Sequence, residues 1–174
     1  RKNLDQPLNE PKNRLIKFNE QISSKYRAGL SLNYLDNYLG ENIVLSSIQE
    51  FIHENQYISS NSRQFETIIE KNTPKDIDWF FRTMVETRDL VDYKFGKVSK
   101  TKDSISVKII NKTNTNAPIS LYQLKNNEVV NKIWLNNIST DSTIVIPRLE
   151  SDKLVLNYNN EVPEYNLRNN WKSL

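Results

Sequence analysis

The chain has 174 residues, 24 basic and 21 acidic side chains, one His, no Cys and three Gly. Without Cys there is no disulfide, thiolate nucleophile or Cys-based zinc site, and a single His excludes any site that needs two imidazoles from this chain. No apolar run approaches the roughly 18 residues of a membrane-spanning helix, the net charge of +3 is mild, and no dense Lys/Arg block marks a nucleic-acid binder. Charges balance over residues 1–98, and the excess lies in residues 99–174. The length fits one domain or two small ones, and the apolar residues recur in periodic runs that are sufficient for a core. The chain opens on Arg1 with no signal-type apolar segment, which reads as a piece of a longer protein.

Residues 1–22 read as an irregular arm, with Pro7 and Pro11 among Asn, Gln and Lys. Ser23 or Ser24 can cap a first helix carrying Ala28, Leu32, Leu35 and Leu39, which Gly40 closes. A second helix runs from Glu41, with Ile43, Val44, Ile48, Phe51 and Ile52 on one face, and fades near Asn55. Asn61 or Ser62 caps a short third helix with Phe65, Ile68 and Ile69. Thr73-Pro74 reads as the start of a fourth, with Thr73 as cap, Pro74 in the first helical position and Asp76 in the first turn. That helix holds Trp79, Phe80, Phe81, Met84 and Val85 and ends near Thr87 or Arg88.

After Leu90 the period changes from helical to alternating. Val91, Tyr93 and Phe95 alternate with Asp92 and Lys94, and Ile105, Val107 and Ile109 alternate with Ser104, Ser106 and Lys108. Short apolar segments follow at Ile119, Leu121, Val129-Val130, Ile133-Trp134-Leu135, Ile144, Ile146, Leu154 and Leu156. Asn-rich turns separate them, and Asn126-Asn127 has the chemistry of a tight hairpin. The predicted class is α+β. An N-terminal antiparallel helical layer of about four helices precedes an antiparallel immunoglobulin-like β-sandwich of six or seven strands. The boundaries are an arm over 1–22, a helical part over 23–89 and a sandwich over 90–174.

Read for chemistry, the residues alone are bland. His53 lies late in the second helix, where the dipole favours a surface imidazole. Asp76 and Asp78 suit a helix N-terminus and, two residues apart, do not share a helix face. Three separated glycines cannot build a phosphate loop. Trp79, Phe80 and Phe81 read as core, Trp134 as packed between the two sheets, and Trp171 as anchoring a tail or facing the next part of a longer protein. Lys100, Lys102, Lys108 and Lys112 fit strand-edge protection better than nucleic-acid binding.

One stretch is distinctive. Lys25-Tyr26-Arg27-Ala28-Gly29-Leu30-Ser31-Leu32, continuing to Tyr38-Leu39-Gly40-Glu41, resembles the Tyr-x-x-Gly helix of the aminopeptidase-N-like zinc metallopeptidases, the gluzincins. Asp5-Gln6-Pro7-Leu8 resembles the loop that precedes this Tyr in the family. Phe65, Thr73-Pro74-Lys75-Asp76 and Ile77-Asp78-Trp79-Phe80-Phe81 are similar to its later elements. Arg27-Ala28 departs from the Glu-Lys of many members.

The resemblance covers about residues 4–88, and members often carry a small β-sandwich after the helical part. The family's H-E-x-x-H zinc signature lies upstream of the Tyr and has no counterpart here. The resemblance therefore implies the C-terminal portion of a zinc-dependent peptidase. This chain would hold no cofactor, and Zn2+ would sit in the full-length protein. The implied partners are the upstream zinc-bearing part of the same polypeptide and a peptide substrate, with no nucleic acid. The implied location is exported or envelope-associated in bacteria. Tyr26 is the implied catalytic residue, donating a hydrogen bond to the oxyanion formed as the peptide carbonyl is attacked. Phenols hold their proton at neutral pH, and such a donor is worth roughly 3 to 4 kcal/mol. The competing reading is a non-catalytic binding or scaffold module for protein or carbohydrate, with Tyr26 buried as a packing residue.

Overall fold

The computed structural model describes residues 5–174, apart from the Ser24 side chain. It divides into two compact units, Arg1–Arg88 and Asp89–Leu174.

The first unit is helical. A 3₁₀ turn (Lys12–Arg14) precedes α1 (Lys17–Gln21), which runs directly into a π-helical turn (Ile22–Arg27) and then α2 (Ala28–Leu39). The arm expected over 1–22 is therefore partly helical, and the helix begins well before Ser23. The reason is non-local. Ile16 precedes α1 in an extended conformation with no side-chain cap of its own. Its N–H donates to Gln6 Oε1 at 2.9 Å, so a distant loop supplies the acceptor that a Glu or Gln at the third helical position gives in a capping box. Ser23 lies buried inside the π-turn, and the alternative cap, the Ser24 side chain, lies outside the described residues.

Gly40 ends α2 at φ 71°, a region that costs an L side chain energy, and its N–H returns to Asp36 O at 2.8 Å. Glu41 and Asn42 continue the left-handed turn, so α3 starts at Ile43 rather than Glu41 and runs to Asn55. α4 (Ser62–Asn72) opens on a full capping box. Asn61 Oδ1 accepts from the Gln64 N–H at 3.3 Å, and Gln64 Oε1 accepts from the Asn61 N–H at 2.8 Å.

Thr73 does not cap the last helix. Its Oγ1 accepts from the Lys75 N–H at 3.2 Å, and Asp76 Oδ1 then accepts from the Asp78 N–H at 3.0 Å. These two consecutive side-chain turns displace the helical start to Asp78, ahead of a second π-helical turn (Phe80–Val85). Lys75 Nζ donates to Tyr38 O and Leu39 O at 2.8 and 3.1 Å, satisfying the carbonyls at the end of α2. Edge-on and tilted aromatic contacts run from Phe51 through Phe65, Phe81, Phe80 and Trp79 to Tyr34, with centroid separations of 4.7–6.5 Å.

The second unit is an immunoglobulin-like sandwich. Its strands are β1 (Tyr93–Lys100), β2 (Ser104–Asn111), β3 (Ile119–Lys125), β4 (Glu128–Leu135), β5 (Ser142–Pro147), β6 (Lys153–Leu156) and β7 (Trp171–Ser173). They form antiparallel sheets of order β1-β2-β5 and β4-β3-β6-β7. Ile105, Val107 and Ile109 are fully buried on alternate positions of β2. Asn126 and Asn127 both take positive φ, 52° and 68°, in the tight β3–β4 hairpin. A bulge interrupts β1 between Phe95 and Val98, and a Cβ on Gly96 would meet Ile110 Cδ1 at 3.1 Å.

Trp134 is not between the sheets. Ile119, Leu121 and Gln123 share the face of β3 turned to the three-stranded sheet, since Gln123 Nε2 donates to Pro147 O at 2.8 Å. Trp134 pairs with Ser120 and so points to the opposite face, half-buried with Lys132 Nζ 5.2 Å from its ring. The pairing register decides this, and a one-residue difference reverses every side chain. Trp171 opens β7, more than half exposed, with its ring edge-on to Tyr158 at 5.7 Å.

Candidate functional site at Tyr26

Two segments of the helical unit converge on the first π-turn: the Asp5–Asn9 loop and the chain leaving the second π-turn. Gln6 fixes the loop to the start of α1. Its Oε1 accepts from the Ile16 N–H and from Asn19 Nδ2, both at 2.9 Å, while its Nε2 donates to Arg14 O at 3.0 Å. The Asn9 N–H donates to Val85 O at 3.2 Å, tying the same loop to the second π-turn.

Within the first π-turn, the side chains at Ser23 and Arg27 reach toward Asp5. Ser23 Oγ donates to Asp5 Oδ1 at 3.1 Å, and Arg27 Nη1 donates to Asp5 Oδ2 at 2.8 Å. The Arg27 guanidinium is only 16% exposed and is a short ion pair with Asp5. It also donates to Gln6 O at 3.1 Å, Thr87 O at 2.7 Å and Met84 O at 3.5 Å. The last two carbonyls lie at the C-terminal end of the second π-turn, where intrahelical partners run out. A planar fork with five donors suits this task, since one group can bridge acceptors from two separate segments.

Tyr26 is 67% exposed, and its hydroxyl has no hydrogen-bond partner among the described residues. Phe18, Ile22 and Leu30, at 64%, 39% and 58% exposure, fall at four-residue intervals on either side of it. The wider i→i+5 turn offsets the drift that successive α-helical turns would build along such a spacing. A phenol donor thus stands in an apolar strip, on backbone anchored from behind by charged and polar bonds. Interrupted helices of this kind are frequent at functional sites.

The other sequence candidates fall into local roles. His53 is exposed in the last turn of α3. Asp76 is occupied by the turn before Asp78, and Asp78 pairs with Arg82 at 3.2 Å. Lys108 pairs with Asp141 at 2.9 Å on the sandwich. Among the described residues no group of three or more His, Cys, Asp or Glu side chains could hold a metal ion.

The largest electrostatic perturbations lie in the sandwich and carry no sequence motif. Burial raises Glu164 to about 7, against hydrogen bonds from the Tyr93 N–H, Asn170 Nδ2 and Asn157 Nδ2 that favour its ionised form. Burial likewise pushes the Tyr93 phenol to about 12. On the outer face of the four-stranded sheet, burial and Glu161 drive the Tyr122 phenol far upward, and Glu161 pairs with Lys132 at 2.6 Å.

The anchoring of Tyr26 was not visible in the sequence. Ser23 and Arg27 stand four residues apart, a spacing that puts both on one face, but only the fold reveals that Asp5 receives them.

No family model matches the chain, and no curated protein matches it. Among solved structures it is similar to aminopeptidase A of Legionella pneumophila, determined in complex with aspartic acid, at a TM-score of 0.67 and 11% identity. The likeness covers 83% of this chain and 18% of that one, so this chain spans less than a fifth of its neighbour's length. At that identity the shared property is the fold: helices followed by two antiparallel sheets, as found in part of an aminopeptidase.

Proposed function

We propose that this chain is the C-terminal portion of a zinc-dependent, aminopeptidase-like peptidase, and that Tyr26 donates its hydroxyl hydrogen to the oxyanion formed on the scissile carbonyl. The observation that carries the reading is the exposure of Tyr26 on an anchored turn, with its hydroxyl unengaged among the described residues. The aminopeptidase-like fold supports it independently. A phenol bound in the core, as the scaffold alternative expects, would have no route to a substrate.

In this reading zinc and its ligands belong to an upstream part of the same polypeptide, because the described residues here offer no ligand set. The contribution of this chain is electrostatic. As the carbonyl carbon becomes tetrahedral, negative charge gathers on its oxygen, and a preorganised O–H strengthens its bond to that oxygen as the charge grows. The apolar neighbours Phe18, Ile22 and Leu30 would lower the local dielectric once covered, which raises the worth of such a bond. In this reading the residues that activate the attacking water belong to the upstream part of the polypeptide.

The test uses the longer polypeptide that contains these 174 residues. It should bind zinc and release N-terminal residues from peptides, while the 174-residue chain alone does neither. A longer polypeptide that contains zinc yet hydrolyses no peptide would overturn the proposal.

A further inference from the structure

We infer that Arg27 is the positioning residue for Tyr26, setting the direction of its hydroxyl by locking the π-turn to the Asp5 loop and to the end of the second π-turn. This rests on the catalytic reading of Tyr26 but goes beyond it, because it assigns a role to a residue that would touch no substrate.

Three observations converge. A π-turn is a strained, widened segment that persists only where its surroundings hold it. Here the guanidinium of Arg27 gathers Asp5 Oδ2, Gln6 O, Thr87 O and Met84 O at 2.7–3.5 Å. Ser23, at the other end of the same turn, donates to the second oxygen of the same carboxylate at 3.1 Å. Asp5 therefore clamps the turn at two points on its buried side, and Tyr26 is carried on the exposed side between them. The ion pair is mostly shielded from water, so it is screened less than a surface pair. Removing the guanidinium takes one donor from Asp5 and from each of the carbonyls, and the turn, held then by Ser23 alone on that carboxylate, can relax toward an ordinary α-helix. Such relaxation shifts the register of Tyr26 against Ala28 and rotates its hydroxyl away from the direction it now holds.

The direct test is a cycle of Arg27→Gln and Tyr26→Phe in the longer polypeptide, with kcat and KM measured separately. Arg27→Gln should lower kcat about tenfold or more with little change in KM, as expected for loss of an interaction made in the transition state. In the Tyr26→Phe background the same change should cost less than about twofold, since the group that it orients is gone. Arg27→Lys, which keeps the charge but not the fork, should restore part of kcat. A loss of equal size in both backgrounds overturns the inference, because it would show Arg27 supporting the fold at large.

A second readout does not depend on activity. In the 174-residue chain, Arg27→Gln should speed amide exchange over residues 22–27 by about tenfold or more, while α3 and α4 keep their protection. Unchanged exchange in that segment overturns the inference. If Tyr26→Phe leaves kcat untouched, the peptidase reading fails, and the exchange result alone then decides whether Arg27 holds the turn.

Discussion

Trp79 and Tyr34 stack at a centroid distance of 4.7 Å with their planes 47° apart, and this pair joins α2 to the start of the last helical turn. Tyr34 has no exposed surface, and Trp79 is also edge-on to Tyr38 at 5.5 Å. The Trp79 Nε1 is buried without a hydrogen-bond partner among the described residues, so the ring contributes by packing and not by its polar handle. Trp79→Ala should cost about 3 to 5 kcal/mol in urea unfolding, through lost area and the cavity left behind. Trp79→Phe should cost clearly less, because it keeps an aromatic face and removes an unpaired donor. Equal losses would mean that the indole makes a bond the packing argument omits.

Glu164 gives the sandwich a pH dependence. Its carboxyl titrates at about 7 in the fold against 4.5 when free of it. Below about pH 4.5 both states hold the proton. Between 4.5 and 7 the folded state keeps a proton that the unfolded chain has lost, so stability falls as pH rises, and above 7 the effect levels off. At about 1.4 kcal/mol per pH unit the total change is roughly 3 kcal/mol. Glu164→Gln mimics the protonated form, so its stability relative to the parent should rise by about that amount between pH 4.5 and pH 8. A difference that stays constant with pH would contradict dominant burial at this carboxyl.

Tyr93 and Asn111 serve the same carbonyls. Tyr93 Oη, with one hydrogen to donate, lies 2.8 Å from Ala117 O and 3.0 and 3.3 Å from Thr115 O and Ile138 O. Asn111 Nδ2 lies 3.0 Å from Thr115 O and 2.6 Å from Ile138 O. Tyr93→Phe and Asn111→Ala should each destabilise by about 1 to 3 kcal/mol. Together they should depart from additivity by roughly 0.5 kcal/mol or more, since each leaves the other with shared acceptors. Strict additivity in chemical unfolding would show two independent sites.

The Asn61–Gln64 box is a local device. Asn61→Ala should cost about 1 kcal/mol, and Asn61→Ser much less, because a hydroxyl still accepts from the first-turn N–H groups. Helicity and thermal unfolding of the two variants check this directly.

Features governed by neighbours in sequence were the ones legible beforehand. The change of period after Leu90 separates the units, Asn61 caps α4, and Asn126-Asn127 turns the β3–β4 hairpin, each by a local rule. The start of α1 is not legible because its N-cap, Ile16, has no capping side chain and its N–H finds its acceptor on Gln6 in a remote loop. The face of Trp134 was missed because cross-strand register, not alternation alone, selects it. β7 has only three residues and no period to read. At the candidate site, Tyr26 stands out through its motif, whereas the clamp of Asp5, Ser23 and Arg27 depends on contacts up to 22 positions apart. No local pattern encodes a π-turn held in that way.

The most direct measurement is the kinetics of Tyr26→Phe in the longer polypeptide on a peptide substrate. Loss of an oxyanion donor should lower kcat by about 10²- to 10³-fold and leave KM nearly unchanged. A variant with the parent's kcat would contradict the role assigned to Tyr26 and the peptidase reading built on it.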